Sequence, residues 1–493
     1  MSKLDQNPYL GTTTTSIASL IYQFGGFLTY LIIFSFLPPE QSGLYFLVYA
    51  FYGLIGVFTS IGFGEVISRY VPFYRAREEH RKASSVLYTS LALNLGMLII
   101  ALAVVSRAEL VSLYNAELSN AITPAVLFFG LAMLVQNVLI YSMFGTEQYT
   151  KQAGLNAFQG LMKPVATYIA LANGMGIDGI FLMQGALFLF IDALTMGFII
   201  ARVRPAFGAI ENTSEILKFG FFSGLNSVMG YVLGWMDVVI LGFFTSTAVV
   251  AVYGFSVLIT RNVIPFVSGM ASSIALPAFS RKEGKGASIS VYSRPLYIIS
   301  LYSASFFFFV ALTVAPFLIH VFFEQYEEAN AYMPLLGIAM VASAAANPLK
   351  SFLFAKVRSD SVAKAAFIAA GSNAIMNIAL VPFIGAMGAS ISTAVAMLLY
   401  LAYVAMEIRK QGVEVADWRS YMLFGLLAFS SAIFMYDYYS GAGIERVLFH
   451  MGALLITLTL YIYFTLEKEE FDFIKEAIKR VSHAAGIPFP LPE

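Results

Sequence analysis

The sequence predicts an all-α polytopic membrane protein with about 14 transmembrane helices, and three observations carry that prediction. Mean hydropathy is +0.77, with 59% hydrophobic and only 12% charged residues, whereas a soluble domain carries about 25% charged residues. The apolar residues gather into long stretches, each near the ~20 residues that cross the hydrocarbon as a helix. Lys and Arg fall almost entirely into alternate gaps between those stretches, the asymmetry that orients membrane helices.

In chain order the stretches cover residues 15–37, 44–68, 84–105, 122–144, 154–174, 179–201, 217–242, 248–270, 292–319, 332–354, 363–383, 387–407, 420–437 and 446–466. Met1 to Thr15 is polar and lacks the charged, apolar, then small order of a cleaved signal, so the first stretch is expected to be retained. One set of gaps holds Arg75, Arg77, Arg81 and Lys82, then Lys151, then Arg202, Arg204 and Lys218. It continues with Arg281, Lys282, Lys285 and Arg294, with Lys350, Lys356, Arg358 and Lys364, and with Arg409, Lys410 and Arg419. Together with Lys3 and the tail residues Lys468, Lys475, Lys479 and Arg480, this face carries 24 of the 29 basic residues. The opposite gaps hold only Arg107 and Arg446, with Glu109, Glu117, Glu324, Glu327 and Glu328. Positive-inside orientation then puts both termini in the cytoplasm of a multi-pass protein of the cell membrane.

The chain also repeats, with an offset of about 210 residues. Phe144-Gly145-Thr146 and Gly176-Ile177-Asp178-Gly179-Ile180 return as Phe354-Ala355-Lys356 and Gly385-Ala386-Met387-Gly388-Ala389. Gly43-Leu44-Tyr45 is echoed by Val252-Tyr253-Gly254. Parallel repeats of this kind build two bundles with a substrate path between them. The expected division is an N-lobe over 1–205, a C-lobe over 206–412, and a last pair of helices over 413–493. Beyond that pair, Phe471, Ile474, Ile478 and Val481 recur at helical spacing and predict an amphipathic helix on the cytoplasmic surface.

Composition and motifs exclude several functions. A net charge of +0 gives no bulk attraction to nucleic acid. The absence of Cys removes disulfides, thiolate catalysis and Cys-ligated metals. Gly284-Lys285-Gly286 lacks the spacing of a phosphate loop, and the four His are scattered, so neither cofactor nor metal is expected. The outer gaps are too short for an extramembrane catalytic domain, which argues against a membrane polymerase or ligase.

Charges inside stretches are the candidates for function, because an ionised side chain at the bilayer centre costs about 2.5–3.5 kcal/mol on insertion scales. Lys163 lies near the middle of stretch 5, followed by Pro164, which removes a backbone donor and could open carbonyls to a cavity. Arg261 lies near the middle of stretch 8, beside Asn262 and four residues before Pro265. Both fit an anion site in a central cavity; both also fit buried ion pairs, for which Asp192 and Asp237 are available. Those two carboxylates are also candidates for coupling to a proton or sodium ion. Glu65 and Arg69 stand one turn apart and can pair along one helix face, with Arg69 close enough to the membrane surface to reach the headgroups. Gln159, Asn226 and Asn262 could donate to sugar hydroxyls or hold helices together.

The run Leu37-Pro38-Pro39-Glu40-Gln41-Ser42-Gly43-Leu44-Tyr45, with Ile61-Gly62-Phe63-Gly64 and Ser68-Arg69-Tyr70, resembles polysaccharide flippases of the Wzx type. So do Asp237-Val238-Val239-Ile240-Leu241-Gly242, Val252-Tyr253-Gly254, and the segment Asn373 to Asn377 with Pro382 and Gly385 to Ser390. The resemblance covers roughly 15–410, and these motifs also mark the wider superfamily of multidrug exporters and lipid II flippases. It implies fourteen helices in two lobes around a cavity open alternately to either membrane face. It also implies a polyprenyl-pyrophosphate-linked oligosaccharide as substrate, moved from the cytoplasmic to the outer leaflet without catalysis. Arg261 is similar in placement to a cavity arginine of lipid II flippases. Drug exporters of the superfamily carry an acid on the first helix that is missing here, so a cation-coupled exporter of small amphipathic molecules ranks second, beside a lipid II-type flippase.

Overall fold

The structure, a computed structural model, describes residues 8–60, 62–206, 208, 213–265, 268, 290–356, 358–413, 417–441 and 443–465. Every regular element among them is helical. The helices are α1 (Pro8–Phe36), α2 (Pro39–Thr59), α3 (Phe63–Ala76), α4 (His80–Val105), α5 (Ala108–Ser112), α6 (Ala116–Asn120), α7 (Pro124–Gly145) and α8 (Tyr149–Ala172). There follow α9 (Gly176–Arg202), α10 (Thr213–Phe244), α11 (Thr247–Val263), α12 (Ser290–Phe322), α13 (Ala329–Ala355), α14 (Ser359–Arg409), α15 (Trp418–Tyr439) and α16 (Ile444–Thr465). Among the described residues, eleven helices are long and apolar enough to cross a membrane. The protein is a multi-pass helical membrane protein.

Helix ends follow local chemistry. Pro39 and Pro124 occupy first-turn positions of α2 and α7, where a missing N–H costs nothing. The side chains of Asn115, Thr123 and Asp417 accept backbone N–H groups at the starts of α6, α7 and α15.

Two expected boundaries change. Stretch 2 is not one helix: the chain breaks between α2 and α3, and Gly62 there is left-handed at φ 73°. A Cβ at Gly62 would sit 1.9 Å from the Gly220 carbonyl oxygen, so the break lets two backbones touch. Stretches 11 and 12 keep their expected gap: both lie within α14, where Ile384 and Gly385, the latter at φ 53°, leave helical backbone and divide it in two. Stretch 8 ends as a helix at Val263, which moves Arg261 from its middle to its last turn. Pro265 is the physical cause, since it has no N–H to return to the Arg261 carbonyl. The amphipathic helix expected over 471–481 lies outside the described residues.

The chain forms two compact units: residues 1–255 with 373–389, and residues 256–372 with 390–493. In the first, α1 lies along α8 and α7 along α9. The α1–α8 contact is tightest at two glycines, where a Cβ on Gly25 would fall 1.7 Å from the Gly160 carbonyl oxygen. That carbonyl is the one Pro164 leaves without its helical partner. Gly25 of α1 packs against it, and Gly160 and Pro164 both line a groove between α1 and α8.

Loops of the first unit meet in two groups. Arg75 donates to the Thr146 carbonyl, Gln148 to that of Phe198, and Ser84 to that of Arg204, which joins three of the basic gaps at one end. Thr123 donates to Asp178, and Asn115 to the Gly242 carbonyl, which joins three of the opposite gaps. The alternation of Lys and Arg is therefore a property of the fold. Two apolar clusters fill the unit, one around Tyr45, Phe129 and Phe181, the other around Ile67, Tyr74 and Met143.

In the second unit α13 packs on α12 and α15, and α16 on α12 and α15. Some 78% of the α13 span is buried against 17% for α16, so α13 is its core helix.

Candidate functional site

Gln152, Asn156, Gln159, Lys163 and Thr167 follow one another at intervals of three or four residues, which places them on one face of α8. That face is turned into the first unit, while Phe158, Leu161, Val165 and Tyr168 on the other side are exposed. With α1, the exposed side forms an apolar groove of ≈ 620 Å³ that includes Leu20, Phe24, Leu28, Leu161 and Tyr168.

The buried face is a column of hydrogen bonds. Gln152 Nε2 donates to Asn156 Oδ1 at 2.8 Å, and Gln159 Nε2 to Gln136 Oε1 of α7 at 3.0 Å. The Thr167 hydroxyl donates to the Lys163 carbonyl at 2.9 Å and accepts from Gln184 Nε2 of α9 at 2.8 Å. Gln184 Oε1 then accepts from both Tyr45 and Tyr49 of α2, at 3.0 and 2.8 Å. Gln184, Gln136 and the tyrosine pair escaped the sequence reading; the four-residue spacing of Tyr45 and Tyr49 is the signal that could have found them.

Lys163 sits inside this column, 8% exposed. Its ammonium lies 4.5 Å from the ring centroid of Tyr49 and 5.8 Å from that of Tyr30. A desolvated cation over aromatic faces gains about 2 kcal/mol. Among the described residues no carboxylate lies within ion-pair distance of it, so the expected Lys163–Asp192 pair is not formed. Asp192 on α9 is 4% exposed, and its polar neighbour is the Gln136 amide of α7. Aromatic faces and amides, both neutral, take the place of counter-ions around these two groups.

The other candidates are placed as follows. Asp237 is buried and accepts from the Tyr253 hydroxyl and from the Val238 N–H. Glu65 accepts from Ser227 of α10. Arg69 is exposed, with its guanidinium 4.5 Å from the Phe219 ring centroid, so the expected Glu65–Arg69 pair does not form: each side chain finds a partner on α10 instead. Arg261 is half-buried in the second unit. The Asn262 amide donates to the Leu258 carbonyl of its own helix. Asn226 is on α10, with its side chain outside the described residues.

The second unit adds two charge clusters that the sequence did not single out. Glu407 accepts from Lys410, Ser361 and Arg358. Asp437, 1% exposed, meets His450 at 2.6 Å and Arg446 at 3.5 Å. Among the described residues no group of three or more potential ligands could hold a metal ion.

Fold and site together describe a helical membrane protein with a polar seam among the helices of its first unit. The chain belongs to the polysaccharide biosynthesis protein family, which it matches over residues 10–283. It is 21% identical to a probable low-salt glycan biosynthesis flippase of Haloferax volcanii, over 73% of this chain and 74% of that one. An uncharacterised membrane protein of Methanocaldococcus jannaschii is 22% identical over 72% and 75% of the two chains. Among solved structures, the lipid II flippase MurJ in an inward closed conformation superposes with a TM-score of 0.66 at 13% identity, covering 91% of this chain and 98% of that one. An inward-facing multidrug resistance transporter of the MATE family gives 0.64 at 16% identity, covering 81% and 98%. The family is one of polysaccharide biosynthesis, and the fold is shared with a flippase and a multidrug transporter.

Proposed function

We propose that the protein is a flippase that moves a polyprenyl-pyrophosphate-linked oligosaccharide from the cytoplasmic to the outer leaflet of the cell membrane, for cell-surface polysaccharide synthesis. The chain crosses fourteen times with both termini cytoplasmic, and lobes 1–205 and 206–412 alternate access to a shared cavity. Arg261 and Lys163 attract the pyrophosphate, and Arg69 assists from the membrane surface. Gln159, Asn226 and Asn262 contribute to glycan contacts. Asp192 or Asp237 couples the cycle to a proton or sodium ion. The polyprenyl chain stays in the lipid.

The observation that carries this reading is Lys163: a buried cation for which the described residues supply no carboxylate. An ionisable side chain placed among membrane-spanning helices is a functional-site candidate by default, and a basic one suits an anion. Reconstitution into proteoliposomes with a labelled lipid-linked oligosaccharide tests it. The parent should flip the lipid, while Arg261→Ala and Lys163→Gln should each lose at least tenfold in rate. Undiminished flipping by both variants would overturn the anion site. Drug efflux without glycolipid movement would replace the flippase by the cation-coupled exporter.

A further inference from the structure

The core helix of the second unit carries a basic residue of its own. Lys350 counts with the basic gaps by sequence, yet it lies inside α13, five residues before the helix ends at Ala355. From Ala329 to Leu353 no residue of α13 is exposed, and six are half-buried: Tyr332, Leu335, Ile338, Ser343, Asn347 and Lys350. The last three follow at intervals of four and three, so they form a polar strip along one face. A face open to lipid is different: Phe449, Ile456, Leu460 and Tyr463 of α16 are all exposed and apolar. The strip on α13 is recessed and polar.

Among the described residues the side chains of Ser343 and Asn347 join no hydrogen bond; Asn347 gives only its backbone carbonyl, to Ser351 Oγ at 3.2 Å. No carboxylate among them lies within ion-pair distance of Lys350. Lysines of the neighbouring basic gaps behave otherwise. Lys364 pairs with Asp360 and Lys410 with Glu407, and their side chains are 65% and 70% exposed. Lys350 and Asn347, one turn apart, offer an ammonium and an amide to one phosphate group, and Ser343 adds a hydroxyl a turn further on.

Depth follows from α11, whose last two turns pack on α13 in the same unit. Ser256 Oγ donates to the Ala329 carbonyl at 2.9 Å, and a Cβ on Gly337 would lie 3.4 Å from Ile264 Cδ1. Both contacts join residues 73 apart, so the helices run in parallel and Arg261 lies level with Pro334. Lys350 is sixteen residues further along α13, about 24 Å at ~1.5 Å per residue. The second unit therefore holds basic residues at two well-separated depths.

We propose that Ser343, Asn347 and Lys350 form a loading site for a lipid-linked pyrophosphate on the cytoplasmic half of α13, occupied before the anion moves on to Arg261. The proposal rests on the orientation and substrate class given under Proposed function. The same donors suit the phosphate of a bilayer phospholipid, and the test separates the two sources.

Native mass spectrometry of the full chain in detergent, with polyprenyl pyrophosphate as the probe, reads binding without transport. A protein carrying Lys163→Gln and Arg261→Ala, stripped of the two deeper anion contacts, should still bind the probe. Adding Lys350→Gln should weaken that binding by about tenfold, as expected for one lost charge-assisted hydrogen bond, and adding Asn347→Ala by about threefold. Lys350→Arg in place of Lys350→Gln should keep it, which separates loss of charge from loss of fold. Excess phosphatidylglycerol should leave the probe bound. Equal binding with and without Lys350→Gln overturns the site, and displacement by phosphatidylglycerol overturns the loading role by making the occupant a bilayer lipid. A parent that binds the probe through Lys350 yet flips no glycolipid would refute the flippase and leave the site standing.

Discussion

Adjacent glycines on α1 should respond in opposite ways to the same substitution. At Gly25 a methyl carbon would lie 1.7 Å from the Gly160 oxygen, 2.4 Å from its carbonyl carbon and 2.8 Å from its Cα, all backbone atoms that cannot rotate away. To restore a C···O contact of about 3.3 Å, α1 and α8 must part by about 1.5 Å. A gap of about 0.5–1 Å already forfeits a quarter to a half of the dispersion attraction of each contact, and overpacking of this kind costs about 1–3 kcal/mol. Replacing a helical glycine returns up to about 1 kcal/mol of backbone entropy. At Gly26 nothing lies within 4 Å of the added carbon, so only that gain remains. Gly25→Ala should therefore lose about 2 kcal/mol, roughly thirtyfold in the folding equilibrium, while Gly26→Ala gains about 0.5–1 kcal/mol. Denaturant or thermal unfolding in detergent, followed by helix circular dichroism, compares the two directly. Equal stability of the two variants would refute the close approach of α1 and α8.

Tyr253→Phe removes a donor from the buried Asp237 carboxylate and should destabilise by about 1–3 kcal/mol; a cycle with Asp237→Asn should show that the two losses are coupled. Asp417 lies outside the spans. Burial raises its pKa, but the Ser420 N–H and the Arg419 and Arg294 guanidiniums outweigh that and hold it below the ordinary 3.8. Because the folded value is the lower one, the stabilisation is complete above the unfolded value and fades as pH falls through the folded one. Asp417→Asn should therefore lose about 1 kcal/mol at pH 7, and the difference from the parent should shrink below about pH 4 in acid unfolding. Glu78 adopts φ 62° at the end of α3, a conformation costly to side chains with a Cβ, so Glu78→Gly should raise thermal stability by about 1 kcal/mol.

Much of this architecture was legible because a membrane leaves few choices. Apolar length and the placement of Lys and Arg identified the helices, and the loops of the first unit meet as the alternation requires. What escaped depends on contacts between distant segments. Nothing near Gly62 in the sequence announces that Gly220 will press against it, and a proline two residues past the end of α11 does not show on which side Arg261 comes to rest. For the candidate site, Lys163 stood out as an isolated charge, but its surroundings did not. The sequence offered Asp192 as a counter-ion; the fold instead supplies Tyr30 and Tyr49, which an aromatic content of 15% hides among many others. Glu65 and Arg69 have the spacing of a helical pair, yet each is taken by α10, because tertiary partners outcompete a weak surface attraction of about 0.2–0.5 kcal/mol.

The polar face of α8 also bears on how the protein is made. The helix is not among the eleven that are apolar enough to cross by composition, and Lys163 alone adds about 2.5–3.5 kcal/mol to the cost of entering lipid. Gln136 lies on the preceding helix, and Gln184 on the following one. During synthesis α8 would emerge before α9, the source of half its hydrogen bonds. Its stable entry into the bilayer therefore waits for α9, and the segment from α7 to α9 would be integrated as a single three-helix unit.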